Sequence, residues 1–501
     1  MKNFIKGIVG VALLAVTATS CDLKKEPYTA ISDETFLHDE SKWPVITAGN
    51  YYFLKDEYFT RNYYMMGEYP GDNVALSGGT SDALYYSYTY QHLKNQGNAN
   101  QIWRKGYQAI NGANKIIEVM PEGRDAATDQ LIGENLFIRA FVHFSLCRIF
   151  ARPYNQGADN PGVPVMLKPD VNAMPARNTV KEVYDAVIAD LLKAKDLMTE
   201  DKECSYATKE AAEALLSRVY LYKEDNQLAK DYADSVLLSN KYSLTSTASF
   251  PGYYAANQAS TSETIFCIRH TIQDDRDWSS IGSMYYTSPS GLGYGEMYAS
   301  LDYVDLIEKY PNDVRNKFIV VPDPLKSKVD PSKDSVDATG RIVRVNRNGV
   351  PKYFILKFAN QDNIPTLSSP IVLRLAEMYL NRAEANAKLG NTDDAIEDVN
   401  TIRQRAGLSG AALYTVDDLK GHASVLDVVL EERRLELAFE AHRPYDLFRN
   451  KKDMVRNYVG QQEKVLPPDQ LPQVVKYTDD RIVHYIPEQD ILLNNNLEQN
   501  P

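Results

Sequence analysis

Cysteine is scarce in this sequence, with four in 501 residues. Cys21 sits at the end of an N-terminal leader; Cys147, Cys204 and Cys267 are widely spaced, odd in number and form no C-x-x-C pair. That spacing indicates neither a disulfide framework nor a zinc site. The histidines include no H-E-x-x-H and no E-x-x-H, which removes the commonest helical metal signatures. There is no G-x-S-x-G and no Walker sequence, and Gly291-Leu292-Gly293-Tyr294-Gly295 lacks the spacing and flanking strand of a nucleotide fingerprint. Asp323, Asp330, Asp334 and Asp337 lack the spacing and turn glycine of a calcium loop. No cofactor is expected, and structural calcium is not indicated. Beyond the leader, no stretch approaches the roughly 18 apolar residues of a spanning helix.

Positive charge is also in deficit. The chain carries -12, and removal of the leader with Lys2 and Lys6 leaves it near -14. Such a surface is repelled by nucleic acid and by anionic lipid, so neither is an expected partner.

The leader itself is informative. Met1-Lys2-Asn3-Phe4-Ile5-Lys6 is basic, Ile8 to Val16 is apolar, and Thr17-Ala18-Thr19-Ser20 are small residues before Cys21. Residues 1–20 read as a secretory signal, and the small residues before Cys21 read as a lipobox whose thiol receives lipid. Lipid chains contribute about 0.8 kcal/mol per buried methylene, so an acylated Cys21 anchors without a membrane span. Residues 22–35 read as a polar tether.

Tyrosine is abundant, 34 against 15 Phe and 3 Trp, and it suits surfaces that are partly dry and partly hydrogen-bonding. Helical periodicity marks 101–120, 131–150 and 179–198, the last opened by a capping box of Thr179 and Glu182. Residues 211–238 and 377–404 align without a gap at an offset of 166, each a helix, a tight turn and a second helix. Ala229 meets Ala395, Ala233 meets Val399, and Val236 meets Ile402. This is tetratricopeptide logic, in which one unit cannot bury its apolar face alone. The offset means that the units are not tandem and that 241–370 is inserted between them. That insertion is rich in Tyr, Gly and Pro, with strand-like runs only near 265–268 and 353–356. Irregular chain of this length inside a compact domain is expected to function or to fold as its own unit.

Several ordered motifs resemble the SusD/RagB family of outer-membrane nutrient-binding lipoproteins. They include the lipobox, Arg139-Ala140, the connector from Arg152-Pro153-Tyr154-Asn155 to Gly162-Val163-Pro164, and Ala176-Arg177-Asn178-Thr179-Val180. Further on come Arg374-Leu375-Ala376-Glu377, Arg403-Gln404-Arg405-Ala406-Gly407-Leu408, Glu431 to Leu437 and His484-Tyr485-Ile486-Pro487-Glu488. Ala441-His442-Arg443 departs from the family, which usually has Gly before the Arg motif. The resemblance implies a mostly α fold of four tetratricopeptide-like helix pairs carrying a loop-rich subdomain with short strands. In that reading residues 1–20 are the signal peptide and 21–501 one domain, with a scaffold at 36–240 and 371–450, a ligand-binding insertion at 241–370 and an irregular tail at 451–501. It also implies a lipid-anchored protein on the outer membrane, facing the exterior. There it would bind oligosaccharide without chemistry of its own and deliver it to a TonB-dependent, SusC-like barrel. The alternatives are a peptide-binding member of the same architecture and, less favoured, a surface glycosidase.

A sugar ring offers an apolar C–H face and a hydroxyl rim, which call for flat aromatic faces with polar side chains at the edge. Two loop regions supply the mixture. One holds Tyr69, Asp72, Asn73, Tyr85 and Tyr86; the other holds Arg276, Trp278, Tyr285, Tyr286 and Tyr294. Family ligands lie between an early loop region and the inserted subdomain, so these positions match in location. Trp278 is the foremost candidate, because Arg276, Asp277 and Ser279 beside it argue for exposure. Trp278→Ala with Tyr285→Ala is expected to abolish glycan retention without changing the melting curve. The carboxylates Glu432, Glu436 and Glu440 with Arg443, Asp446 and Arg449 invite a glycosidase reading. They are read instead as a salt-bridge network fastening the last helix to the turn Pro444-Tyr445-Asp446-Leu447.

Overall fold

A computed structural model of the chain describes residues 33–76, 83–338, 340–456 and 473–501. The expected signal peptide, the lipidation at Cys21 and most of the tether lie outside the described residues. Helices dominate. α1 (Trp43–Lys55) and α2 (Glu57–Glu68) meet at Asp56, whose side chain accepts the Tyr58 N–H and caps α2. They lie against α3 (Gly97–Val119). There follow α4 (Ala126–Phe150), α5 (Val180–Leu197), α6 (Lys209–Lys223), α7 (Asn226–Leu238), α8 (Leu375–Leu389), α9 (Thr392–Arg405) and α10 (Val425–Glu436). From α3 to α10 each helix packs on the next, and α6–α7 and α8–α9 are the two expected repeat pairs.

Local sequence accounts for these elements. α4 is buried on every side from Ile132 to Phe150, a central helix whose interspersed polar residues, such as Arg139 on Asp190, find partners. Thr179 Oγ1 accepts the Glu182 N–H at 3.2 Å, and Glu182 Oε2 accepts the Thr179 N–H at 2.8 Å, completing the capping box that opens α5. The two repeats close their first helices alike. Glu224 after α6 and Gly390 after α8, equivalent at the 166-residue offset, are both left-handed, with φ 66° and 86°. Ala229, Ala233 and Val236 on α7 are buried, as are Ala395, Val399 and Ile402 on α9. The small residues allow close helix approach.

α7 packs on α8 although the insertion separates them in sequence. The repeats therefore stack as if tandem, and residues 241–370 leave and return at one place. Strand β2 (Thr264–Cys267) pairs antiparallel with β4 (Ile371–Arg374) at that neck. Within the insertion, Ile319–Val320 pairs with Phe354–Ile355, close to one expected strand. A link that the sequence did not disclose is β1 (Val74–Leu76) pairing with β3 (Met297–Ala299), which ties the early loop region to the insertion. Among the described residues no helix is long and apolar enough to cross a membrane.

Candidate functional site

The β1–β3 pairing puts an open cleft of about 540 Å³ on the insertion, near the early loop. Tyr298 and Phe354 form its floor, their rings 5.7 Å apart, and Tyr286 meets Phe354 nearly perpendicularly at 5.9 Å. Arg347 and Lys352 stand on one side, on either flank of the tight turn Asn348-Gly349. Tyr294 stands on the other. Gly293, at φ 100°, allows the turn that presents it; a Cβ there would lie 2.3 Å from the Tyr286 carbonyl oxygen. Tyr294 is 48% exposed and packs edge-on against Trp278, 38% exposed, with ring centroids 4.9 Å apart. Two aromatic faces thus reach solvent at the cleft mouth beside a cationic edge. Such a mixture suits a sugar ring, whose C–H face stacks on aromatic rings while its hydroxyls bond to charged and hydroxyl groups.

The structure separates the proposed site residues into two groups. Tyr286 and Tyr294 line the cleft, and Trp278 packs against Tyr294 beside it. Arg276 is beside them but turned to the scaffold, its Nε donating to the Lys55 carbonyl at 3.1 Å and its guanidinium over the Tyr52 ring.

Five positions, Tyr69, Asp72, Asn73, Tyr85 and Tyr285, are corrected, because all are buried. Tyr285 is fully buried, stacked on Phe358 and edge-on to Tyr69, which is itself buried. Tyr285→Ala would open a core cavity, so it cannot serve as a ligand-contact test. Asp72 is buried under Arg443, with bonds of 2.6 and 2.8 Å, and Arg434 lies 3.4 Å away. Burial pushes its carboxyl up, but Arg434 and Arg443 hold it well below the usual carboxylate range. Asn73 is buried between Glu68 and Arg434. Tyr85 packs into the core, with Tyr86 edge-on to it. Partners more than 350 residues away decide the burial of Asp72 and Asn73, and Tyr69 and Tyr285 meet across the chain from early loop to insertion. Tyr298, Phe354, Arg347 and Lys352 were not among the expected site residues; the Asn-Gly turn between short strands was the available signal for the last two.

Glu68, at the end of α2, accepts from Asn73 Nδ2 at 2.9 Å and from the Ala441 N–H at 3.2 Å. Burial pushes its carboxyl up to about 7, against the Asn73 hydrogen bond. A raised carboxyl keeps its proton in the folded chain after the unfolded chain has lost it, so this group's contribution declines as pH rises from about 4.5 to about 7. Glu68→Gln is expected to flatten that decline. Thermal midpoints of both proteins across the window check it, and parallel curves would refute it.

The carboxylate constellation forms two buried networks. One fastens the helix Arg443–Arg449 as expected: Asp446 binds Arg433 and Arg449, and Glu384 binds Arg449. The other departs from expectation, because Glu432, Glu436 and Glu440 reach across to the insertion. Arg315 bonds Glu432 at 2.7 Å, Lys357 bonds Glu440 at 2.7 Å, and Arg374 bonds Glu263 at 3.0 Å and Glu436 at 2.6 Å. Arg403 and Arg405 complete the cationic set, and Asp313 binds Arg315. Five carboxylates meet five cations, none more than 6% exposed. This constellation presents no acid/base pair to a sugar.

A larger groove of about 630 Å³ lies on the scaffold between α3 and residues 164–175. Its aromatic rings are committed elsewhere: Trp103 meets Phe150 edge-on, and the Tyr107 hydroxyl donates to the Pro164 carbonyl. The insertion cleft is the better candidate.

Comparison with known proteins gives consistent matches. A model of the SusD family matches residues 323–501, and one described as starch-binding, associating with outer membrane, matches 24–221. A SusD-like protein of Formosa agariphila is 26% identical, covering 100% of this chain and 99% of the relative. Among solved structures, a SusD superfamily protein of Bacteroides thetaiotaomicron superposes with a TM-score of 0.79 at 25% identity, covering 92% of this chain and 99% of that one. A Bacteroides vulgatus structure described as a candidate sugar-binding protein superposes with a TM-score of 0.75 at 26% identity, covering 92% and 98%.

Proposed function

We infer that this chain, which belongs to the SusD/RagB family of carbohydrate-binding proteins, captures an oligosaccharide in the insertion cleft and passes it to a transporter barrel. The observation that carries the reading is Tyr294, exposed in the lining of a cleft that also holds Arg347 and Lys352, with the exposed Trp278 packed edge-on against it. Aromatic faces of that size cost free energy in water unless something apolar covers them. A sugar ring does so while its hydroxyls stay wet. The leader ending at Cys21 supports a lipid-anchored protein on the outer membrane, facing the exterior, and family membership supports a SusC-like, TonB-dependent partner. Binding needs no chemistry from the protein.

The test uses the lipid-free chain beginning at residue 22, which loses none of the described fold. It is offered a glycan array, a mixed peptide pool and an oligosaccharide panel assayed for new reducing ends. Retention of a defined set of glycans without cleavage is expected. Retention of peptides alone, or steady release of reducing ends, would overturn the reading.

A further inference from the structure

The segment before α6 runs beside β2. The Cys267 N–H donates to the Cys204 carbonyl at 2.8 Å, and Arg269 meets Glu203 at 2.6 Å on the same two stretches. Between these contacts, the two sulfurs stand 3.4 Å apart. The sulfurs are already within about 1.4 Å of the roughly 2.0 Å length of a disulfide bond, so small side-chain rotations suffice to close it. Cys267 is buried, and Cys204 is half-exposed at the edge. Sequence spacing alone gave no hint of this pair. Among the described residues no group of three His, Cys, Asp or Glu side chains could hold a metal, so the two thiols are not part of an ion site.

We propose that Cys204 and Cys267 close a disulfide in the exported protein, riveting the base of the insertion to the scaffold. The placement outside the cell rests on the proposed function; the bond itself rests on the geometry. The oxidant is a small-molecule or protein disulfide. The Cys204 thiolate attacks one of its sulfurs and the other leaves as a thiolate. Cys267 then gives up its proton and attacks the Cys204 sulfur of the mixed disulfide, expelling the second half. Two thiols lose two protons and two electrons, and the oxidant becomes two thiols. The order follows from the site. The hydrogen bond from Cys267 holds the Cys204 thiol below its ordinary value; the same contact and burial push Cys267 up. Cys204 is also the less buried residue of the pair. Cys147, buried within α4 with its thiol pushed up to about 12, is the internal control.

The lipid-free chain from residue 22 has three thiols. Exposed to oxidised glutathione and then titrated in denaturant, it is expected to show only one, at Cys147. A non-reduced digest should join the peptides holding Cys204 and Cys267. Reductant should speed proteolysis within 241–370 for the wild type and change nothing for Cys204→Ser. Three thiols remaining, or a bridge or glutathione adduct at Cys147 in place of the expected pair, would overturn the proposal. The in vitro arm is independent of glycan binding, so it stands or falls separately from the functional reading. Protein alkylated in intact cells tests the location: free thiols at both positions there would overturn bridging in the exported state.

Discussion

Trp278→Ala combined with Tyr294→Ala is expected to weaken oligosaccharide retention by about 100-fold or more and to leave the thermal midpoint where it was. Anchoring aromatics at a binding site cost about 2 kcal/mol or more on truncation, and each 1.4 kcal/mol is a factor of ten. The two rings support each other edge-on at 4.9 Å, so either single change should already remove much of the effect. Both side chains are well exposed, so the fold loses little core packing. Tyr294→Phe keeps the flat face and should keep most of the binding. Affinity electrophoresis measures retention, and a calorimetric scan measures the fold. Undiminished retention in the double variant would remove this site.

The second large effect lies in the core. Arg374→Met leaves five buried carboxylates facing four cations, with Glu263, Glu436 and Glu440 each losing a partner. Removing one member of a buried ionic set costs about 3–5 kcal/mol, because the charges left behind stay desolvated. The expected result is a lower denaturation midpoint and early proteolysis within 241–370, since the cluster joins that excursion to the stack. Arg374→Met with Glu436→Met should recover part of the loss, as the count of charges balances again. Burial opposes the charge on Glu436, yet Arg405, Arg374 and Arg315 hold its carboxyl below the ordinary range, and Arg374 and Lys357 do the same for Glu440. A lowered carboxyl contributes stability that is present above its unfolded value and is lost as pH falls through its folded one. Acid should therefore weaken the hold of this cluster on the insertion. A denaturation midpoint for Arg374→Met equal to that of the wild type would show that the cluster carries no stability.

The scaffold was largely legible because it depends on local period and spacing. Apolar residues at helical intervals announce α3 to α5, and the gapless offset between 211–238 and 377–404 announces the insertion. The exposure of Trp278 was legible too, from the polar residues flanking it. The failures share one cause. Tyr285 and Tyr69 have loop-like neighbours, but Phe358 and Phe439 close over Tyr285 from distant sequence. Asp72 has the composition of a ligand residue, and Arg443 arrives from the far end of the chain to claim it. Periodicity says which face of a helix is covered; it says nothing about which remote side chain covers a loop.

The neck formed by β2 and β4 has a consequence for how such proteins diversify. An excursion that departs and re-enters at adjacent points can be exchanged for another without re-laying the helices beneath it, since added loop length costs little closure entropy. The exchange carries one condition. Glu263, Asp313, Arg315 and Lys357 belong to the excursion and sum to zero charge, as do the host's Arg374, Arg403, Arg405, Glu432, Glu436 and Glu440. Each half is electrically neutral alone, but each leaves the other's ions unmet in a dry interior. A transplanted recognition surface must bring those four side chains with it, together with the β3 edge that pairs with β1.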